Sequence, residues 1–213
     1  MGNANNKAVE WIVLTKAPVP GLVKTRLIPE LGEQAACELY QQLLKRMEGT
    51  LKKLVSDNAG QVALWIAGDG DSAEHEAFKP WSCFAAFYHQ PTSGDLGVRM
   101  ALAVKSALSR NCIPILIGVD VPDLDEAYLL NCLQQLEKHD LVISPAEDGG
   151  YGLLGMKQFY PQLFIDKDWG SDRVFSATKS DIESFAINAA YLPIVWDVDE
   201  VADAERFRRL AFS

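Results

Sequence analysis

Three cationic side chains come shortly after the first apolar segment of the sequence. Residues 11–14 are apolar, and Lys16, Lys24 and Arg26 follow in a segment rich in proline and glycine. Prolines restrict φ in such a loop, while Gly21 allows its backbone to approach a ligand closely. Because open α/β sheets bind ligands at the carboxyl ends of their strands, these cations are candidates for binding an anion, most simply a phosphate. A solvated basic loop is the alternative.

Asp120 is a candidate metal ligand. It follows the most apolar segment of the chain, residues 113–119, and Pro122 ends the strand that this segment predicts. The carboxylate should therefore lie at the carboxyl edge of the sheet. One or two carboxylates together with substrate phosphates commonly hold Mg²⁺ or Mn²⁺. Asp120 could instead cap the next helix, but Asp123 or Asp125 suits that position better.

Two glycines and an aromatic residue follow an acidic pair after the strand predicted at residues 141–144. Asp148 could bind hydroxyl groups or a metal. Gly149 and Gly150 would let a substrate pass close to the backbone before Tyr151. An ordinary β-turn built on an Asp-Gly pair is the alternative.

A further glycine-containing loop leads into the helix predicted to start at Asp95. Gly94 and Gly97 flank this aspartate, and a loop at a helix N-terminus suits contact with a ribose, base or phosphate. Asp95 by itself is better explained as the helix cap. We therefore favour ligand binding for the loop as a whole.

Four acidic residues lie close together near the end of the chain, within residues 197–203. They could start a solvated helix, because negative charge is favourable at a helix N-terminus. They could instead supply a second carboxylate for the ion proposed at Asp120. Asp199 is the preferred candidate, and Asp197 is the next.

Apolar segments and helical repeats alternate along the chain, as expected for a parallel sheet covered by helices. The sequence predicts one domain over residues 1–213, a three-layer α/β/α Rossmann-like sandwich with a mostly parallel sheet and a flexible tail at residues 1–8. The predicted strands are residues 9–14, 62–67, 83–88, 113–119, 141–144, 151–156 and 191–196. The predicted helices are residues 33–55, a helix starting at 95, and residues 125–138, 171–186 and 201–210.

The composition excludes several classes of function. A net charge of −9 over 213 residues argues against nonspecific binding to nucleic acid or anionic membranes, which requires excess Lys and Arg. The four cysteines show no paired spacing and are expected to be buried free thiols. The polar start of the chain lacks the apolar core of a signal peptide, so we expect a cytoplasmic protein.

In this order, the motifs resemble those of the nucleotide-diphospho-sugar transferase superfamily, which has a glycosyltransferase-A type fold. More narrowly, the chain is similar to a bacterial family of small glycosyltransferase-like proteins associated with radical-SAM and selenium-related genes. The segments that carry the resemblance are residues 16–27, 94–100, 118–124, 144–156 and 197–203.

The resemblance implies roles for individual residues. Lys24 and Arg26 would contact nucleotide phosphates, Asp120 would bind a divalent metal, and Asp199 would be its second ligand. The loop of residues 148–151 would lie on the acceptor side. The chain departs from related nucleotidyltransferases in its first loop, which is rich in proline where theirs is rich in glycine.

These observations lead us to expect a Mg²⁺- or Mn²⁺-dependent transferase that uses a nucleotide-activated donor. Glycosyl transfer from a nucleotide sugar to a small-molecule acceptor is preferred, with Asp148 orienting or deprotonating the acceptor hydroxyl and Lys24 stabilising the leaving group. Nucleotidyl transfer from a nucleoside triphosphate with release of pyrophosphate is one alternative. A non-catalytic protein that binds nucleotide sugars is another. An NAD-dependent enzyme is disfavoured because no GxGxxG motif follows the first strand.

Overall fold

The computed structural model describes residues 7–68 and 70–210 and contains a seven-stranded mixed sheet. The strands have the order β3-β2-β1-β4-β6-β5-β7 across the sheet. Only β6 runs antiparallel to its neighbours β4 and β5, and every other pair is parallel. The strands are β1 (Ala8–Lys16), β2 (Gln61–Ala67), β3 (Ala85–His89), β4 (Cys112–Ile117), β5 (Leu141–Pro145), β6 (Tyr151–Met156) and β7 (Ala189–Tyr191).

Helices cover both faces of the sheet. They are α1 (Ile28–Leu31), α2 (Glu33–Ser56), α3 (Leu96–Ser109), α4 (Glu126–Lys138), α5 (Val174–Ser184) and α6 (Val201–Leu210). Apolar side chains of α2, α4 and α6 form one core with one face of the sheet, and those of α3 and α5 form a second core with the other face. The predicted α/β/α sandwich with a mostly parallel sheet is thus confirmed.

The central strands have continuous apolar sequences because helices cover both faces of the sheet. In β1, Trp11 and Val13 enter one core while Ile12 enters the other, and all three are fully buried. Alternate side chains of a strand point to opposite faces, so a strand covered on both faces needs apolar residues at every position. The predicted strand at residues 113–119 follows this pattern but ends at Ile117.

The last predicted strand was misplaced. The sequence predicted residues 191–196, whereas β7 ends at Tyr191 and only an isolated bridge joins Val195 to Ala146 further on. Pro193 lies between them, and because proline has no N–H to donate, it interrupts the ladder of hydrogen bonds.

The prediction for Cys83 was also wrong. This residue ends a 3-10 helix, Glu76–Cys83, rather than beginning a strand, and its side chain is exposed. Pro80 lies within that helix, and its fixed φ suits a short helical turn better than a strand interior. The other three cysteines are buried, and all four are free thiols.

The predicted flexible tail at residues 1–8 lies mostly outside the described residues. Ala8 is already the first residue of β1. Within residues 7–68 and 70–210, no helix is long and apolar enough to cross a membrane.

Gly97 offers a test of how α3 packs against the segment between β6 and α5. A Cβ atom at this position would overlap the carbonyl oxygen of Phe164 and lie 2.8 Å from the ring of Trp169. We expect Gly97→Ala to lower the free energy of unfolding by about 2–3 kcal/mol, because overpacking forces the backbone apart. Gly49→Ala in α2 is the control: no atom of the described residues lies within 4 Å of its added Cβ, so it should add about 0.5–1 kcal/mol. Urea denaturation measures both, and equal stability of Gly97→Ala and wild type would contradict the packing.

Candidate active site

The loop after β1 holds Lys24 in an unusual backbone conformation. Lys24 has φ 46° and ψ 44°, in the left-handed region, and caps a 3-10 helix formed by Thr25–Leu27. Val23 and Leu27 on either side of it are buried in the core. Left-handed residues other than glycine cost conformational energy, and they cluster at functional sites. The buried side chains of Val23 and Leu27 thus fix the position of Lys24.

The side chain of Lys24 joins two distant acidic segments. Its Nζ atom donates a hydrogen bond of 2.9 Å to Oδ2 of Asp120 and another of 2.9 Å to Oδ1 of Asp199. Arg26 donates a third bond, of 2.7 Å, from Nη1 to Oδ2 of Asp199. The Lys24 side chain is only 7% exposed, whereas that of Arg26 is 67% exposed. The structure therefore brings together the basic loop, the end of β4 and the acidic segment before α6.

Backbone contacts fix the acidic segment against Asp120. The amide of Val198 donates to the carbonyl oxygen of Asp120 at 3.0 Å, and the Val198 side chain is fully buried. Asp203 lies in the first turn of α6, and its Oδ2 accepts from the amides of Asp199 and Glu200, just before the helix, at 3.2 Å and 2.7 Å. This segment therefore contains both the start of α6 and part of the charged site, where Asp199 faces Lys24.

The ion pairs set the charge states of both partners. Burial would lower the pKa of Lys24, but the carboxylates of Asp120 and Asp199 outweigh burial and raise this pKa above its ordinary value. Burial acts to raise the pKa of Asp120, yet the Lys24 ammonium holds it below its usual range. At neutral pH Lys24 is therefore protonated and Asp120 is ionised.

Asp197 is crowded by the other carboxylates of the site. Burial and then the carboxylates of Asp148, Asp199 and Asp120 raise its pKa to about 7. Among the described residues, no cation pairs with Asp197 or Asp148. Of these four interacting carboxylates, only Asp120 and Asp199 bond the ammonium of Lys24.

Two cavities share Asp120 as a wall. The larger, of about 360 Å³, is lined by Asp148, Asp197, Tyr151 and Trp169 together with apolar residues. The smaller, of about 340 Å³, is lined by two carboxylates, Asp120 and Asp199, and by four cations, Lys16, Lys24, Arg26 and Arg99. Lys24 and Arg26 are engaged by carboxylates, but Lys16 and Arg99 form no ion pair within the described residues.

The loop predicted after β5 lies at the larger cavity. Asp148, Gly150 and Tyr151 line it, and Oδ1 of Asp148 accepts from the amide of Gly150 at 2.8 Å, as in the predicted turn. Gly149 is turned toward Asp172: its φ is 86°, and an added Cβ would overlap the backbone there. Substrate binding by Gly149, Gly150 and Tyr151 stays a prediction.

The glycine-containing loops have local structural roles. Asp95 caps α3, since its carboxylate accepts from the amide of Val98 at 2.9 Å. Gly94 and Gly21 have φ values of 93° and 82°, which glycine adopts without strain. None of the three lines either cavity, and their predicted contacts with a nucleotide stay predictions.

Sequence reasoning did not single out Arg99 or Trp169. Arg99 lies in the first turns of α3, and its buried Nε has no hydrogen-bond partner within the described residues. The sequence did offer one signal for Arg99, namely a cationic residue soon after the glycine-containing start of a predicted helix. Trp169 lies on a loop far along the chain, and nothing in its local sequence indicated a cavity wall.

The carboxylate oxygens of this site suit a divalent cation whose remaining coordination positions are filled by a bound substrate. No group of three or more Asp, Glu, His or Cys residues among those described is arranged to hold a metal alone. Asp120 and Asp199 nevertheless point at one position, now taken by the Lys24 ammonium. Two carboxylates plus substrate phosphates are a common Mg²⁺ site, and the unneutralised charge around Asp197 favours a further cation. The residues therefore fit a metal bound together with phosphates.

Comparison with known proteins agrees with this geometry. Residues 50–171 match the family model of uncharacterised proteins conserved in bacteria, DUF2064, and the chain belongs to that family. A candidate nucleotide-diphospho-sugar transferase from Desulfovibrio desulfuricans is 31% identical with a TM-score of 0.84, over 94% of this chain and 87% of that one. No curated protein matches the chain in sequence.

More distant solved structures share the fold. A 4-diphosphocytidyl-2C-methyl-D-erythritol synthase from Anaerococcus prevotii has a TM-score of 0.61 at 11% identity, over 98% of this chain and 100% of its own. Rv0371c from Mycobacterium tuberculosis, solved in complex with manganese, has a TM-score of 0.51 at 19% identity, over 97% of this chain and 99% of its own. The fold is therefore that of the nucleotide-diphospho-sugar transferases.

The raised pKa of Asp197 predicts a pH-dependent stability. The native carboxyl keeps its proton up to about pH 7, whereas the unfolded chain loses it near pH ~4. The native state thus binds more protons between these values, so this residue's contribution to stability falls as the pH rises. Without divalent ions, Asp197→Asn should be more stable than wild type by about 1–2 kcal/mol at pH ~8, a figure reduced for partial exposure. This difference should disappear near pH ~4.

Chemical denaturation of both proteins across this range, in the presence of a chelator, measures the difference. A difference that stays constant with pH would show that Asp197 is not crowded by the other carboxylates.

Proposed function

We propose that this protein is a transferase that uses a nucleotide-activated donor, with glycosyl transfer from a nucleotide sugar to a small acceptor as its reaction. The observation that carries the proposal is the convergence of Lys24 with Asp120 and Asp199, at 2.9 Å from each carboxylate, beside two chemically different cavities. A diphosphate leaving group needs cations at one end and room for the transferred group at the other.

The smaller cavity supports phosphate binding. Lys16 and Arg99 are its unpaired cations, and the planar guanidinium of Arg99 can make two parallel bonds to a phosphate. Lys24 and Arg26 share the charge that develops on the leaving diphosphate. Asp120 and Asp199 would hold Mg²⁺ or Mn²⁺, which when bound supplies further neutralisation of that charge.

The larger cavity supports a neutral transferred group rather than a phosphorylated one. Its lining, all within the described residues, contains carboxylates but no Lys, Arg or His. Asp148 accepts hydrogen bonds from hydroxyl groups there and orients or deprotonates the acceptor. Nucleotidyl transfer to a phosphate, the alternative expected from sequence, would place a second anion beside Asp148 and Asp197. This unfavourable contact supports the glycosyl reaction.

Product analysis tests the proposal. Incubation with labelled nucleotide sugars should release free nucleoside diphosphate, whereas nucleoside triphosphates should release no pyrophosphate. We expect Asp120→Asn to reduce turnover at least 100-fold, because removal of one charge-stabilising group costs about 3–4 kcal/mol of barrier. Asp57→Asn, an exposed carboxylate at the end of α2, is the control and should keep full activity.

Release of pyrophosphate would instead establish nucleotidyl transfer. Tight nucleotide binding without turnover would establish the binding-protein alternative. A cytoplasmic location and the association with radical-SAM and selenium-related genes stay predictions.

Arg99 provides a separate test of the phosphate-binding cavity. A hydrogen bond to a charged group contributes about 1.5–3 kcal/mol, so Arg99→Gln should weaken binding of a nucleoside diphosphate by about ten- to a hundredfold. Isothermal titration with UDP, GDP and CDP measures this affinity. Arg209→Gln, on the exposed side of α6 and paired with Glu205, should bind as wild type does. Unchanged affinity in Arg99→Gln would remove this residue from the site.

A further inference from the structure

Lys24 takes a position that a divalent cation would also require. Its ammonium donates to one oxygen of Asp120 and one oxygen of Asp199, both at 2.9 Å. The side chain is 7% exposed, so little water competes for these bonds. The left-handed backbone at Lys24, between buried Val23 and Leu27, directs the side chain there.

The ammonium lies between the two carboxylates and bonds one oxygen of each. A metal ion could reach these oxygens only if the charged side chain moved away. In the absence of another anion, that movement would leave a buried ammonium without partners, which is strongly unfavourable.

Arg26 does not impose the same block. It bonds only Asp199, through the second oxygen of that carboxylate, and its side chain is 67% exposed. Exposed ion pairs of this kind contribute little, and the guanidinium can move into solvent at small cost. Lys24 is therefore the group that controls access to both carboxylates.

We propose that Lys24 excludes divalent metal from the free protein and that the metal binds only together with nucleotide phosphates. The second half of this inference rests on the proposed function. Phosphates in the neighbouring cavity give the flexible lysine side chain a new anionic partner. Its movement frees Asp120 and Asp199, and the phosphates supply the remaining oxygen ligands that Mg²⁺ or Mn²⁺ prefers. Metal and nucleotide thus bind cooperatively, each favouring the other.

Binding of Mn²⁺ without nucleotide tests the exclusion directly. Water-proton relaxation measures protein-bound Mn²⁺ for wild type, Lys24→Met, Lys24→Arg and Lys16→Met. Lys24→Met should bind Mn²⁺ at least tenfold more tightly than wild type, because both carboxylates lose the buried ammonium and only the exposed Arg26 still pairs with Asp199. Lys24→Arg keeps the charge at this position. Lys16→Met removes a cation of the same cavity that forms no ion pair within the described residues. Both variants should bind Mn²⁺ as weakly as wild type does.

Equal affinity of Lys24→Met and wild type would overturn the inference. So would an equal gain in Lys16→Met, which would indicate a general effect of charge. The melting temperature of Lys24→Met should also rise more on addition of Mn²⁺ than that of wild type, since a ligand stabilises the state that binds it.

Addition of UDP, GDP or CDP tests the cooperative half. One of these nucleotides should raise the affinity of wild type for Mn²⁺ at least tenfold, and should raise that of Lys24→Met less. If none has an effect while Lys24→Met still binds Mn²⁺ tightly, the proposed function fails and the exclusion by Lys24 stands. If a nucleotide binds to wild type but leaves its affinity for Mn²⁺ unchanged, the inference fails. This outcome can be measured on wild type alone, even if Lys24→Met does not fold.

Discussion

Neutralisation of two half-buried carboxylates by the single buried ammonium of Lys24 is the interaction on which the site depends. Burial acts to raise the pKa of Asp120, and the ammonium holds it below its usual range. Removing the carboxylates would leave the buried ammonium without a partner, which is strongly unfavourable. The position of Lys24 is consequently constrained by stability as well as by chemistry.

The fold supplies this arrangement through the order of its strands. β1 lies beside β4 in the sheet, so the loop after β1 and the segment after β4 meet at one edge, although Lys24 and Asp120 are far apart in sequence. The antiparallel strand β6 then brings Tyr151 to the same edge from the opposite direction. The link from Val198 to the backbone of Asp120 adds the last acidic segment. Sheet topology, rather than any local motif, assembles the site.

Sequence reasoning identified most elements and most charged candidates, but not the pairing between them. Periodicity located the central strands because they are apolar at every position, and it failed at β7 because Pro193 interrupts an otherwise strand-like segment. Lys24, Arg26, Asp120 and Asp199 stood out individually by type and place. That Lys24, rather than a metal, bridges the two carboxylates depends on a left-handed backbone and a long-range contact. Arg99 and Trp169 were missed because their importance comes from the cavities they face.

The charge difference between the two cavities would allow the proposed anionic donor to bind at so acidic a site. The smaller cavity holds Lys16 and Arg99, which pair with no carboxylate among the described residues. The larger cavity holds Asp148 and Asp197, which pair with no described cation, and Asp120 borders both cavities. A donor that carries its charge at one end and hydroxyl groups at the other is favoured in only one orientation. Reversal would place phosphates beside carboxylates that have no cationic partner among the described residues, where like charges repel. Charge asymmetry across Asp120 would therefore favour one orientation of the proposed donor.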